Sequence, residues 1–170
     1  MKPRSRLRIV VAMCVGVVGL LFGAVAKPTY HLRYNTSRSA PLGWYVVVPA
    51  ANVPVGALVL ARLPPAAEAL ADQRHYLPRG VPLLKPVAAT RGQLVCSEAG
   101  DVEIDGALAA RALSRDSTGR PLAAWTGCRR LDADQLFLLN PDSAASFDSR
   151  YFGPVRRTAV VGQAIPLWTW

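Results

Sequence analysis

The sequence predicts a mainly β domain with one short helix, carried behind a single N-terminal membrane span. Three observations lead there. Proline and glycine interrupt the chain about every eight to twelve residues, with short β-branched runs between them. One segment alone, opening on Pro65, is rich in alanine, leucine and glutamate. An uncharged run of 18 residues, Ile9 to Ala26, follows directly on a basic cluster.

That run comes first in the chain. At 1.5 Å per residue it reaches about 27 Å as a helix, close to the roughly 30 Å of a bilayer's hydrocarbon. Lys2, Arg4, Arg6 and Arg8 precede it and no charge interrupts it, so residues 1–8 are expected in the cytoplasm and residues 27–170 outside. Ala24, Val25 and Ala26 also resemble a signal-peptide cleavage site. The run exceeds a typical signal core, and Lys27-Pro28 makes a poor mature terminus, which favours an uncleaved anchor. For a bacterium the expected location is the inner membrane, with the folded part in the periplasm.

After the anchor, strands are expected at 44–48, 57–62, 83–87, 93–96, 135–139 and 159–164, where apolar and β-branched residues cluster. Asp105-Gly106 reads as a tight hairpin turn between Val102-Glu103-Ile104 and Ala107-Leu108. The helix is expected over 65–75. Residues 109–127 are polar and irregular and read as a surface excursion. No repeat or long linker divides the chain, so one domain of about 143 residues is expected.

Charge narrows the function classes. The formal net charge is +9, but Lys2, Arg4, Arg6, Arg8 and Lys27 sit at the anchor. Residues 28–170 hold 15 basic and 11 acidic residues, a net of +4 with interspersed signs. No basic helix or basic-aromatic stripe is present, so nucleic acid is not an expected partner. Membrane lipid is, through the anchor and the basic cluster. Of the three cysteines, Cys14 lies in the apolar run. Cys96 and Cys128 fall in the exported part, where a disulfide can form and two free thiols are the alternative. Neither belongs to a Cys-x-x-Cys pair, and His31 and His75 are isolated, so no metal and no cofactor are expected.

The chemistry starts from lysine usage. The chain holds 17 arginines and 3 lysines, and beyond residue 27 the sole lysine is Lys85, inside the apolar stretch 81–87. Arginine stays protonated at any usable pH, whereas a desolvated lysine can lose its proton and serve as a base. Snorkelling to water from a strand edge is the competing reading. A hydroxyl for that base lies upstream, where Ser37 and Ser39 precede Pro41 and Gly43 in a turn entering the strand at 44–48. A serine there stands beside exposed backbone N–H groups, the setting an acyl-transfer nucleophile needs. A third block, Asp148-Ser149-Arg150 in the polar loop after 135–139, is either a plain turn or the group that orients the lysine.

These blocks resemble the signal-peptidase clan of membrane-bound serine/lysine proteases, and within it the branch that matures conjugative pilins. Asn-x-Ser-x-Ser-x-Pro-x-Gly-x-Tyr falls on Asn35, Ser37, Ser39, Pro41, Gly43 and Tyr45. The lysine block falls on Leu84, Lys85, Val87, Ala88 and Ala89, with Gly92 following. A Ser-x-Asp-Ser-Arg-x-Phe-Gly block falls on Ser146, Asp148, Ser149, Arg150, Phe152 and Gly153. General signal peptidases have methionine after the nucleophile and proline three places on. Here Ala40 follows Ser39 and Pro41 comes two places on, which points to the conjugative branch.

The resemblance implies a signal-peptidase-like β-rich catalytic domain. It implies Ser39 as nucleophile, Lys85 as general base, Asp148 as support for the lysine, and Ser37 as a contributor to the oxyanion hole. The implied substrate is a pilin precursor with small residues beside the cleaved bond, and the implied partners are other components of a conjugation or type IV secretion apparatus. It also implies that the acyl-enzyme can pass to the substrate's own amine, giving a cyclic product. A general leader peptidase and a non-catalytic, membrane-tethered assembly factor are the competing functions.

Overall fold

The computed structural model describes residues 9, 11–18, 31–37, 40–50 and 52–170. Residues 11–18 of the expected anchor are helical and exposed, while residues 10 and 19–26 lie outside the described residues. Among the described residues no helix is long and apolar enough to cross a membrane. Ser39 also lies outside the described residues.

Eleven strands in two sheets dominate the described chain, so the fold is β-rich with few helices. The strands are β1 (His31–Asn35), β2 (Gly43–Val48), β3 (Leu58–Ala61), β4 (Leu83–Ala89), β5 (Leu94–Glu98), β6 (Asp101–Ile104), β7 (Ala107–Arg111), β8 (Gly127–Arg130), β9 (Gln135–Leu138), β10 (Val155–Arg156) and β11 (Val160–Thr169). Helix α1 (Pro65–Gln73) follows β3, and the single turn α2 (Ser149–Phe152) follows β9. The larger sheet runs β1-β2-β11-β3-β4-β9-β10, and the smaller runs β7-β6-β5-β8.

Alternation explains the larger sheet. In β2, Gly43, Tyr45 and Val47 are buried and their neighbours less so; in β4 the buried set is Leu83, Lys85, Val87 and Ala89. Successive side chains of a strand point to opposite faces. Lys85 therefore shares the inward face with three apolar residues. Between the sheets' elements, Val59, Ala61, Val87, Leu136 and Leu138 form one cluster, and Ala89, Val95, Val102, Leu131 and Phe137 a second beneath the smaller sheet. Helix α1 opens on Pro65 and buries Ala67 and Ala71, one turn apart, against Leu63 and Leu83.

The expected strands all form, and the hairpin turns at Asp105-Gly106 with φ of 52° and 81°, as a tight two-residue turn demands. Two differences bear on the site. The last strand was expected to stop near 164, but β11 continues to Thr169 because the register shifts between Pro166 and Trp168. A bulge lets a proline sit in a strand without breaking the ladder around it. Strand β1 was not among the expected strands: Leu32 and Tyr34 alternate with polar residues but stay exposed, and the strand is held by pairing with β2, from His31 opposite Val47 to Asn35 opposite Gly43.

Cys96 and Cys128 are bonded to each other as facing residues of β5 and β8. Strand β8 is exposed throughout, so this bond and the backbone ladder are what hold it. The free-thiol reading of this pair is thereby set aside.

Candidate active site

Lys85 is 2% exposed, which removes the snorkelling reading. Its ammonium donates to the Ser146 hydroxyl at 2.5 Å. Burial lowers its pKa from 10.5 to about 8; the Asp148 carboxylate works against that shift, and the Arg150 guanidinium works with it. At pH 7 about a tenth of such lysines carry a free amine, roughly 300-fold more than at the ordinary value. A usable base at neutral pH follows from where β4 puts this side chain.

Sequence reasoning gave the orienting role to Asp148. Among the described residues the lysine donates to Ser146, while Asp148 acts on the lysine through its charge and holds the loop around it. One Asp148 oxygen accepts from the Arg150 amide at 3.2 Å and from Nε at 2.9 Å. The other accepts from Arg150 Nη2 at 2.8 Å and from the Asn140 amide at 3.2 Å. Both residues are essentially fully buried. The guanidinium then reaches on to the carbonyls of Asn140, Ser143 and Ser146. A planar fork of donors can tie several points of one loop at once. The pair thereby fixes the 140–146 loop and, with it, the hydroxyl that holds Lys85. Ser146 was visible in the sequence as part of the third block, but nothing local marks a serine in a polar loop as a lysine's partner.

The serine turn is organised by Asn35, at the end of β1. Its carbonyl oxygen accepts from the Ser37 amide at 3.1 Å and from the Ser37 hydroxyl at 2.9 Å. Its amide nitrogen donates to the carbonyls of Ser37, Ala40 and Pro41 at 2.8, 3.0 and 3.1 Å. The Tyr45 hydroxyl donates to the Pro41 carbonyl at 2.7 Å. The turn on both sides of Ser39 is thus pinned by one side chain. Gly43 ends it at φ 137°, with the Trp168 carbonyl oxygen 2.1 Å from where a Cβ would stand. Only glycine permits that approach. The bulged end of β11 requires this closeness, linking the turn to the far end of the chain.

Ser37, Lys85 and Ser146 line one cavity of about 750 Å³, walled by apolar residues including Leu60, Leu83 and Leu84. Segment 109–127, expected as a surface excursion, contributes Leu113, Asp116 and Leu122 to the same cavity. The cysteine pair lies in the smaller sheet, outside it. Among the described residues, no three or more His, Cys, Asp or Glu side chains gather as metal ligands would. A buried amine of lowered pKa, in a cavity shared with a pinned serine turn, suits proton transfer to and from a hydroxyl.

Comparison with known proteins shows the family. A family model described as signal peptidase, peptidase S26, matches residues 4–169. The plasmid transfer protein TraF of Escherichia coli is 32% identical over 179 aligned positions, covering 98% of this chain and 98% of that protein. The probable conjugal transfer protein TraF of Sinorhizobium fredii is 38% identical over 150 positions, covering 81% and 77%. Among solved structures, a signal peptidase I from Enterococcus faecalis aligns with a TM-score of 0.38 at 19% identity, over 66% of this chain and 96% of that one.

Proposed function

Because the chain belongs to the peptidase S26 family of signal peptidases, we propose that it is a membrane-anchored serine endopeptidase that matures a conjugative pilin precursor. The observation that carries this reading is the buried Lys85 amine, held by Ser146 on the wall of the cavity it shares with Ser37. Relatives named for plasmid and conjugal transfer support the conjugative substrate.

In this reading neutral Lys85 takes the proton of the Ser39 hydroxyl as Ser39 Oγ attacks the substrate carbonyl. The Ser39 amide and the Ser37 hydroxyl receive the oxyanion, and preorganised donors of this kind are each worth about 10²–10³ in rate. The ammonium of Lys85 returns its proton to the leaving amine, which frees one product and leaves the acyl-enzyme. Water, or an amine of the substrate itself, then attacks that ester, and Lys85 takes and returns a proton a second time. Ser146 keeps the amine aimed throughout. Asp148 supports the lysine through its charge and, with Arg150, through the loop that carries Ser146.

Residues 1–8 would lie in the cytoplasm, 9–26 would cross the inner membrane, and 27–170 would work in the periplasm. The test is precursor processing in cells by full-length wild type, Ser39→Ala and Lys85→Ala. Both variants are expected to leave the precursor intact, a loss of at least about 10³-fold. Normal processing by both would refute the proposal.

A further inference from the structure

The cavity has a wall that the serine, lysine and aspartate blocks do not account for. After β7 the chain folds into a hairpin in which Arg115 and Pro121 form an isolated bridge and the Leu122 amide donates to the Ser114 carbonyl at 2.9 Å. Asp116 builds its tip. One of its oxygens accepts from the Thr118 amide at 3.0 Å, the Thr118 hydroxyl at 2.8 Å and the Arg120 amide at 2.9 Å. The other accepts from Arg120 Nε at 2.7 Å and from the Tyr76 hydroxyl at 2.5 Å. Burial alone would raise this carboxyl, but hydrogen bonds from Tyr76, Thr118 and Arg120 outweigh it and hold the carboxyl well below the usual range. Arg74 adds its charge at 3.5 Å.

Two tyrosine hydroxyls tether this hairpin to the rest of the molecule. Tyr76, just beyond α1, holds Asp116, and Tyr151, in α2, accepts from the Leu113 amide at 3.0 Å. Phe147 lies between them, its ring 5.3 Å from that of Tyr76 and stacked on Tyr151 at 5.7 Å and 12°. Phe147 directly follows Ser146, the partner of Lys85. The hairpin is therefore fastened to the same short segment that aims the lysine. Leu113 lines the cavity and stays 39% exposed, so part of its apolar surface is accessible from the cavity. The hairpin thus presents one buried leucine, Leu122, and one accessible leucine, Leu113, to the cavity that holds Lys85.

We propose that the hairpin from Leu113 to Leu122 is the specificity wall of this site: Leu113 contacts the substrate side chain beside the cleaved bond and limits its size, and Tyr76 is the positioning residue that holds the wall through Asp116. The proposal rests on the peptidase reading above.

It is tested with full-length protein in detergent and a synthetic peptide library, with cut positions mapped by mass spectrometry. Wild type, Leu113→Ala, Tyr76→Phe and Lys85→Ala are compared, with melting temperature as the check on folding. Leu113→Ala is expected to accept larger residues at the cut, lowering the preference for alanine over leucine at least about tenfold, the low end of what one methylene is worth in an apolar pocket. Tyr76→Phe is expected to raise KM several-fold while kcat changes less, and to broaden the same preference in part. If both folded variants keep the wild-type cut profile and KM, the wall is overturned while the peptidase stands. Should Tyr76→Phe unfold, Leu113→Ala decides alone, because its exposed side chain supports little of the core. Library cleavage by Lys85→Ala equal to that of wild type, or none by wild type, defeats the peptidase reading and the wall with it.

Discussion

Replacing Lys85 with methionine removes a charge that burial disfavours while keeping a side chain of similar length. In the unfolded chain this lysine titrates near 10.5, and in the fold near 8. Below pH 8 both states are protonated, so the folded state bears the full cost of the buried charge. Between pH 8 and 10.5 the unfolded state binds more protons, and wild-type stability rises with pH; above that window the cost is gone. A separation of this size corresponds to about 3 kcal/mol. Methionine restores that amount at neutral pH but leaves the Ser146 hydroxyl without its donor, a loss of about 1–2 kcal/mol. The net expectation is a variant with no peptidase activity that is about 1–2 kcal/mol more stable than wild type at pH 7, or a few degrees in Tm. The assay is denaturant unfolding of both proteins from pH 7 to 9.5, read as a difference so that other titrating groups cancel. The gap should narrow steadily above pH 8. A variant less stable than wild type at pH 7, or a gap that does not change with pH, would show that the amine is not held in a desolvated site.

The rate should carry the same signature: kcat/KM is expected to climb with pH and level off past about 8, where the Lys85 amine is free. A break near 6.5 would instead implicate a histidine. Ser146→Ala takes away the hydrogen bond that Lys85 makes to this loop, and kcat is expected to fall about 10–100-fold with little change in Tm; unchanged kcat would make that contact incidental. Asp148→Asn strands the Arg150 charge among buried carbonyls, so unfolding is expected about 3–5 kcal/mol sooner, measured by chemical denaturation. Replacing both Cys96 and Cys128 with serine opens a loop of 32-residue separation and is expected to cost about 3–4 kcal/mol, while a Tm equal to wild type would mean the smaller sheet holds itself.

The sequence by itself determined the elements whose signal is local. Apolar and β-branched runs specified the strands of the core, Pro65 and the alanine content specified α1, and Asp105-Gly106 specified its hairpin. Residue usage singled out Lys85, and the spacing of Ser37, Pro41 and Gly43 marked the turn. In β4 the two levels meet, since strand alternation alone puts Lys85 on the face of Leu83 and Val87.

Only the tertiary structure decided what depends on distant partners. Strand β1 is short and leaves its alternating Leu32 and Tyr34 exposed, so pairing with β2 is what holds it; β11 outlasts Pro166 because a bulge absorbs the proline. The lysine's partner is 61 positions away, and no periodicity joins a strand residue to a polar loop. Segment 109–127 looked like surface because its residues are polar. Its polar groups satisfy one another around Asp116, and that frees the hairpin to bring Leu113 over the cavity. Periodicity records which face of an element is buried, whereas the choice of neighbour is made by the whole fold.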